Sequence, residues 1–135
     1  MELKDIVSVS GLTGLHKIIG HRKNGLIIES LDEKKTKVAT SLNQKVSILE
    51  DISVYTNDGD IRFREVLLKI HDKEKDGLEV PNPKSEDGIL KSFFAAVLPD
   101  YDQQRVYLSD IKKIASWYQI LKGHIDFEEL RKKGK

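Results

Sequence analysis

Three aspartates have the residue type and spacing to do chemistry. Asp100, Asp102 and Asp110 are close enough in sequence to hold Mg²⁺ or to share a proton between carboxylates. Two of them, however, follow Pro99 in a stretch typical of a loop, and Asp110 falls in the first turn of a predicted helix. Carboxylates in such positions cap helices and interact favourably with the helix dipole. We therefore expect structural roles for all three, with Arg105 paired to one of them.

The remaining polar residues match no catalytic or metal-binding motif. The four histidines are scattered, and His16 and His21 are five residues apart on one predicted strand, so their side chains should point to opposite faces. The chain has no cysteine, no phosphate-binding loop, no G-x-S-x-G and no H-E-x-x-H. A G-x-x-G at residues 11–14 lies between predicted strands and is interpreted as a turn. We predict no metal site, no cofactor and no enzymatic activity.

The candidate ligand-binding surface is basic and lies mostly on predicted hairpins. Its members are six basic side chains and one aromatic ring: Lys17, His21, Arg22, Lys23, Lys35, Lys37 and Tyr55. Small barrels bind oligonucleotides by stacking and phosphate contacts. Glu29, Asp32 and Glu33 are interleaved with the cations, and hairpin lysines also protect sheet edges from pairing. The net charge of +1 is too small to attract a polyanion by itself, so both interpretations stay open.

The N-terminal residues that position this surface have the pattern of strands. Short runs between residues 3 and 56 alternate apolar and polar side chains, with turns between them. Asn24-Gly25 predicts a type I′ turn, which would place Arg22 opposite Ile27. About five short strands bury little apolar surface as an open sheet, so we predict that they close into a compact barrel.

From Asp60 onward the apolar spacing becomes helical. A first helix capped by Asp60 would bury Phe63 and Ile70, and two more amphipathic helices follow, the third starting at Ser109. A final turn or short helix is expected at residues 126–131. Pro-Asn-Pro at residues 81–83 favours extended backbone and predicts a linker.

The predicted fold class is α+β, with a small SH3-like β-barrel followed by a three-helix C-terminal domain. The predicted boundaries are 1–58 for the barrel, 59–75 for a connecting helix, 76–88 for the linker and 89–135 for the small helical domain. Trp117 and Ile120 lie outside the apolar stripe of the third helix, so they are expected to contact the barrel or another subunit.

Several blocks of the sequence resemble one family. They are residues 3–11, 14–17, 25–31 and 46–56 in the first half, and 98–102, 105–107, 110–114 and 117–118 in the second. These blocks are similar to a Bacteroidetes-type family of short uncharacterised proteins, a domain of unknown function. The resemblance implies an SH3-like N-terminal barrel and a helical C-terminal part, and it implies no catalytic residue.

The leading functional hypothesis is a non-enzymatic binding or adaptor module whose barrel binds a nucleic acid or a peptide. The alternative is a structural or assembly protein that self-associates through Trp117 and Ile120. The charged start of the chain lacks a long apolar run, so a bacterial cytoplasmic protein without membrane contact is expected.

Overall fold

The computed structural model describes residues 2–41 and 43–133 and divides into two compact units, Met1–Ile52 and Ser53–Lys135. The first unit ends before residue 58, where the sequence analysis places the end of the barrel. Segment 76–88, the predicted linker, lies within the second unit, where Val80 and Pro81 are buried. Among the described residues, none of the helices has the length and apolar character needed to span a bilayer.

The first unit is a five-stranded antiparallel sheet with the order β4-β3-β2-β1-β5. Its strands are β1 (Ile6–Val9), β2 (His16–Arg22), β3 (Gly25–Ser30), β4 (Lys37–Ala39) and β5 (Val46–Ile48). Two short 3₁₀ turns, Leu3–Asp5 and Leu49–Asp51, precede β1 and follow β5.

One face of this sheet carries an aliphatic core. Val7, Val9 and Ile28 are buried at the centre of this core. Val7 and Val9 share the face because alternate residues of a strand point to the same side. The half-buried residues packed against them are Leu12, Ile18, Leu26, Val38, Val46 and Ile48.

The prediction of an SH3-like barrel is wrong, because the sheet is open. Closure would require β4 to pair with β5. Within the described residues β4 pairs with β3 alone and β5 pairs with β1 alone, so the two three-residue strands are free edges. The strand at β6 (Ser53–Thr56), which the sequence analysis assigned to the barrel, pairs instead with β7 (Gly59–Arg62) in the second unit. No further strand of the described residues is therefore available to close the sheet.

The predicted β2–β3 hairpin is present, but its turn and register are different. Arg22 pairs with Gly25 rather than Ile27, so the turn is made by Lys23 and Asn24. Neither turn residue has positive φ, so the turn is not type I′. Gly25 is required for a different reason: a Cβ atom at position 25 would lie 2.5 Å from the carbonyl oxygen of Thr40. This glycine allows the backbones of two neighbouring strands to approach closely.

The second unit consists of the β6–β7 hairpin and four α-helices, one more than predicted. The described helices are α1 (Phe63–Lys75), α2 (Asp87–Val97), α3 (Leu108–Leu121) and α4 (Phe127–Lys133). Helix α1 begins after Asp60 because that residue pairs with Tyr55 in the hairpin. Most residues of the predicted apolar stripes are buried: Phe63, Val66, Leu67 and Ile70 of α1, Leu90, Phe93, Phe94 and Val97 of α2, and Ile111, Ile114, Ala115, Tyr118 and Leu121 of α3. The prediction that Ile89 belongs to the buried side of α2 is wrong, because this residue is 52% exposed.

Candidate functional site

A row of alternating charges crosses the first sheet. Lys17 on β2 is opposite Glu29 on β3, and Glu29 is opposite Lys37 on β4. The Nζ atom of Lys17 lies 3.4 Å from Oε1 of Glu29, so this pair is neutral overall. Lys37 is exposed at the end of the row and has no ion-pair partner among the residues that the structure describes. Of the two predicted cations in the row, Lys37 is therefore the one available to a ligand.

Three further predicted residues lie together at the end of the β2–β3 hairpin. His21 and Arg22 end β2, Lys23 begins the turn, and all three are exposed. A β-bulge between Ile18 and Gly20 changes the register of β2, so His16 and His21 both pair with even-numbered residues of β3. The two histidines therefore lie on the same face, contrary to the prediction.

Exposed isoleucines lie near Arg22, whose partner Gly25 is on the same face of β3 as Ile27. Ile19 at the bulge is 42% exposed and Ile27 is 36% exposed, and Ile27 is opposite the exposed Ala39 of β4. This apolar component of the surface was not among the predicted site residues. The signal was two adjacent isoleucines in each strand, because neighbouring side chains point to opposite faces and only one can enter a one-sided core.

Lys35 lies in the exposed turn between β3 and β4. Asp32 organises this turn, since its Oδ1 accepts hydrogen bonds from Ser30 Oγ at 2.7 Å and from the Lys34 backbone N–H at 3.0 Å. The hydrogen bond from Ser30, followed by those from the turn backbone, holds the pKa of Asp32 below its ordinary value. Among the residues that the structure describes, Lys35 is the non-glycine residue whose backbone φ is positive, at 47°. Its charge is therefore displayed on a turn whose conformation Asp32 stabilises.

Tyr55 belongs to the second unit and not to the sheet that carries the basic residues. The guanidinium carbon of Arg105 lies 4.3 Å from the centre of the Tyr55 ring, a cation–π contact. Arg105 is itself held by Asp102, with Nε 2.8 Å from Oδ2. One face of the Tyr55 ring is thus covered by an intramolecular partner.

The carboxylates of Asp102 and Asp110 have structural partners, whereas Asp100 contributes its backbone carbonyl, which accepts the Asn57 N–H at 2.9 Å. Asp102 accepts hydrogen bonds from Arg105 and from the backbone of Gln104, and the Arg105 side chain is the largest cause that holds the pKa of Asp102 below its ordinary value. Asp110 accepts the Tyr107 backbone N–H at 2.9 Å in a capping box at the start of α3. The predicted ion pair of Arg105 with one aspartate is confirmed. Within 2–41 and 43–133, no group of three or more His, Asp or Glu side chains could hold a metal ion.

His16 is a buried titratable group that the sequence analysis left without a role. It is 5% exposed on β2, and its Nδ1 has no hydrogen-bond partner among the described residues. Burial lowers the pKa of His16 because it disfavours the charged imidazolium, and the negative charge of Asp32 opposes this effect.

Trp117 and Ile120 are half-buried on the second side of α3. The Trp117 ring packs edge-on against Phe63 at the start of α1, with ring centroids 5.6 Å apart. Trp117 therefore has an aromatic partner within its own unit.

A polar network joins helices of the second unit. The Tyr118 hydroxyl donates to Glu74 Oε1 at 2.7 Å, and Lys122 donates to Glu74 Oε2 at 3.0 Å. Burial, reinforced by the contact with Glu74, raises the pKa of Tyr118 above its ordinary value. Arg131 of α4 donates to Asp72 of α1 at 2.6 Å. These contacts tie α3 and α4 to α1.

The fold defines an α+β protein with an open antiparallel sheet in one unit and a β-hairpin with four helices in the other. The chain belongs to the family described as domain of unknown function (DUF6852), whose model matches residues 52–121. A second family model, also described as a domain of unknown function (DUF5606), matches residues 3–49.

A solved structure supports the resemblance to proteins of Bacteroidetes type. The chain is similar to a protein from Bacteroides vulgatus whose solution NMR structure was determined by the Northeast Structural Genomics Consortium. The two are 40% identical over 93% of this chain and 91% of that chain, with a TM-score of 0.74. No curated protein matches the chain.

Proposed function

We propose that the chain is a non-enzymatic binding module whose first unit binds a protein or peptide. The binding region, here called the hairpin surface, consists of the exposed residues Ile19, Arg22, Lys23, Ile27, Lys37 and Ala39. His21 is not included, because it is opposite Leu26 on the other face of the sheet. The observation that carries the proposal is the exposure of Ile19 and Ile27 beside these basic side chains. Exposed aliphatic groups with a polar rim are typical of protein contact surfaces.

The composition of the first unit favours a protein over a nucleic acid. Residues 1–52 contain no Phe, Tyr or Trp, the side chains on which single-stranded bases stack. Tyr55, the aromatic residue of the predicted site, belongs to the second unit. Glu29 also neutralises Lys17 within the sheet. Aliphatic contacts would therefore supply much of the binding energy, and the cations would select acidic partners.

Self-association through Trp117 and Ile120 is the weaker candidate. The edge-on contact of Trp117 with Phe63 already removes part of the indole from solvent. Because Trp117 and Ile120 are both half-buried, only part of each side chain remains for contact with a second copy.

Site-specific photo-crosslinking tests the proposal. A benzophenone amino acid is placed at position 27, and a matched protein carries it at the exposed position of Lys45, which lies outside the hairpin surface. After irradiation in cells that encode the chain, we expect a discrete protein adduct from position 27 and none from position 45. The additional substitution Ile19→Ser should weaken the position-27 adduct.

The size and enzymatic sensitivity of the adduct identify the class of partner. A nuclease-sensitive adduct would show that the partner is a nucleic acid, and an adduct with the mass of two copies would show self-association. Either result, or equal adducts from both positions, would contradict the proposal.

A further inference from the structure

We propose that the open β4 edge of the first sheet accepts an extended acidic segment of a partner protein as an additional antiparallel strand. This inference rests on the proposed function and specifies both the binding mode and the chemistry of the partner. Strand addition to an exposed edge is a common way for folded domains to bind peptides, because the backbone supplies the hydrogen bonds and the side chains supply specificity.

The hydrogen bonds between β3 and β4 show which backbone groups of β4 face outward. Thr40 donates its N–H to the Leu26 carbonyl at 2.8 Å, and Ser30 donates to the Thr36 carbonyl at 2.9 Å. Hydrogen-bonded and non-hydrogen-bonded pairs alternate along an antiparallel ladder. The bonded residues of this segment are therefore the even-numbered ones.

Val38, halfway between the two bonded ends, directs its backbone groups toward β3. Lys37 and Ala39 therefore direct their N–H and C=O groups away from β3, toward the open edge. Both residues are exposed, whereas all three residues of β5, Val46, Ser47 and Ile48, at the opposite edge of the sheet are half-buried. The β4 edge is thus the more accessible of the two and presents two donors and two acceptors.

The side-chain rows specify what an added strand should carry. The charged row ends at the edge with the cation of Lys37, so an acidic residue is favoured opposite it. Val38 extends the aliphatic core face, and Ala39 extends the row of Ile27, so apolar residues are favoured opposite both. An antiparallel partner would therefore read apolar, apolar, acidic.

That pattern already occurs in β3, which packs against β4 from the other side. Ile27, Ile28 and Glu29 are opposite Ala39, Val38 and Lys37, respectively. A peptide that copies residues 25–30 is consequently a chemically matched probe for the open edge.

A second copy of this chain is a poorer occupant than an acidic segment. Antiparallel pairing of two β4 strands centred on Val38 would place each Lys37 opposite Ala39 and leave it without a counter-charge. The two Lys37 side chains would also be diagonal neighbours on one face, about 7–8 Å apart, where like charges repel. Lysine on an edge strand disfavours self-pairing in this way.

The first test uses fluorescein-labelled peptides with blocked termini and measures binding by fluorescence anisotropy. One peptide copies residues 25–30, and a second has Lys in place of its Glu. We expect the full-length protein to bind the acidic peptide about fivefold more tightly, because opposite charges attract and like charges repel across a strand pair.

Charge reversal supplies the matched control. In Lys37→Glu the preference should reverse toward the Lys peptide, whereas Lys45→Glu, with the same change in net charge, should keep the original preference. Equal effects of the two substitutions would overturn the assignment to β4, because they would indicate a general electrostatic attraction.

A third peptide, N-methylated at alternate residues so that it lacks the donors facing β4, tests backbone pairing. We expect its binding to be lost. If it binds as tightly as the unmodified peptide, strand addition is wrong. Failure of every peptide to bind would also overturn the inference, while the position-27 crosslink judges the proposed function separately.

Discussion

Replacing Gly25 with alanine should destabilise the first unit, because the added methyl group would collide with Thr40. The new Cβ would lie 2.5 Å from the carbonyl oxygen of Thr40 and 2.7 Å from its Oγ1. Thr40 cannot move away freely, because its Oγ1 accepts the Leu26 backbone N–H at 2.9 Å and its own N–H bonds to Leu26. The collision is therefore with backbone that is fixed by the β3–β4 ladder.

Two physical effects contribute to the expected magnitude. Forcing an extra methyl group into a close-packed position costs about 1–3 kcal/mol. The φ of Gly25, +156°, is rarely adopted by other residues, and strained backbone costs about 1–3 kcal/mol. We expect a total loss of about 2–6 kcal/mol, against a stability of about 3–8 kcal/mol for a unit of this length.

Urea unfolding followed by residue-resolved NMR signals of the full-length chain measures this loss unit by unit. Gly59→Ala is one control, since its φ is +136° but a Cβ would meet no atom within 4 Å, so its unit should lose only the backbone part. Gly20→Ala is the other, because its Cβ would make an ordinary 3.8 Å contact with Ile27. A Gly25→Ala loss no larger than that of Gly20→Ala would refute the reasoning.

Three further perturbations test other contacts. The free energy of unfolding of the first unit should fall as the pH drops below 6.5, because the pKa of His16 is lowered in the folded chain and the unfolded chain therefore binds the proton more readily. Urea unfolding at several pH values measures this change. In His16→Gln the free energy of unfolding should fall less over the same pH range. Tyr118→Phe should destabilise the second unit by about 1–2 kcal/mol in urea unfolding, because the hydroxyl donates to the charged Glu74, and a change below experimental error would contradict this. Arg131→Gln should speed the hydrogen exchange of the α4 backbone amides, because the Arg131 side chain hydrogen-bonds to Asp72 of α1. Added salt should reduce the difference in exchange rate between this variant and the unmodified chain, because salt screens the ion pair.

The helices could be predicted from sequence because each buries one continuous stripe. Ile111, Ile114 and Tyr118 recur at helical spacing, and all three are buried in α3. The start of α1 could not be predicted in this way. Asp60 is a residue type that commonly caps helices, but here it belongs to strand β7 and pairs with Tyr55. Local preference was overridden there by pairing with β6.

The barrel was a wrong prediction because strand count does not specify which strands pair. The alternation at Val54 is typical of a strand in any sheet, and only the structure shows that its partner is Ile61. Gly25 illustrates the same limit: Asn-Gly is a strong turn signal, but here the glycine is required by the distant Thr40. In both cases the choice of partner decided the outcome: Ile61 in the next strand for Val54, and Thr40 at the end of β4 for Gly25.

The candidate site was predictable in its charges and not in its apolar part. Arg22 and Lys23 are exposed, as hairpin cations usually are. Alternation requires one of two adjacent isoleucines in each strand to stay outside a one-sided core, but the sequence does not show that Ile19 and Ile27 are the two left exposed. Tyr55 was grouped with the cations because it was assigned to the same barrel, but it belongs to another unit.

Hydrogen exchange of the backbone amides of β4 tests most directly whether the first sheet is open where the proposed partner would bind. The structure predicts rapid exchange at Lys37 and Ala39, whose N–H groups face the open edge, and slow exchange at Val38, which bonds to β3. Equal and strong protection of all three amides in the isolated protein would mean that this edge is already occupied, and would contradict the account.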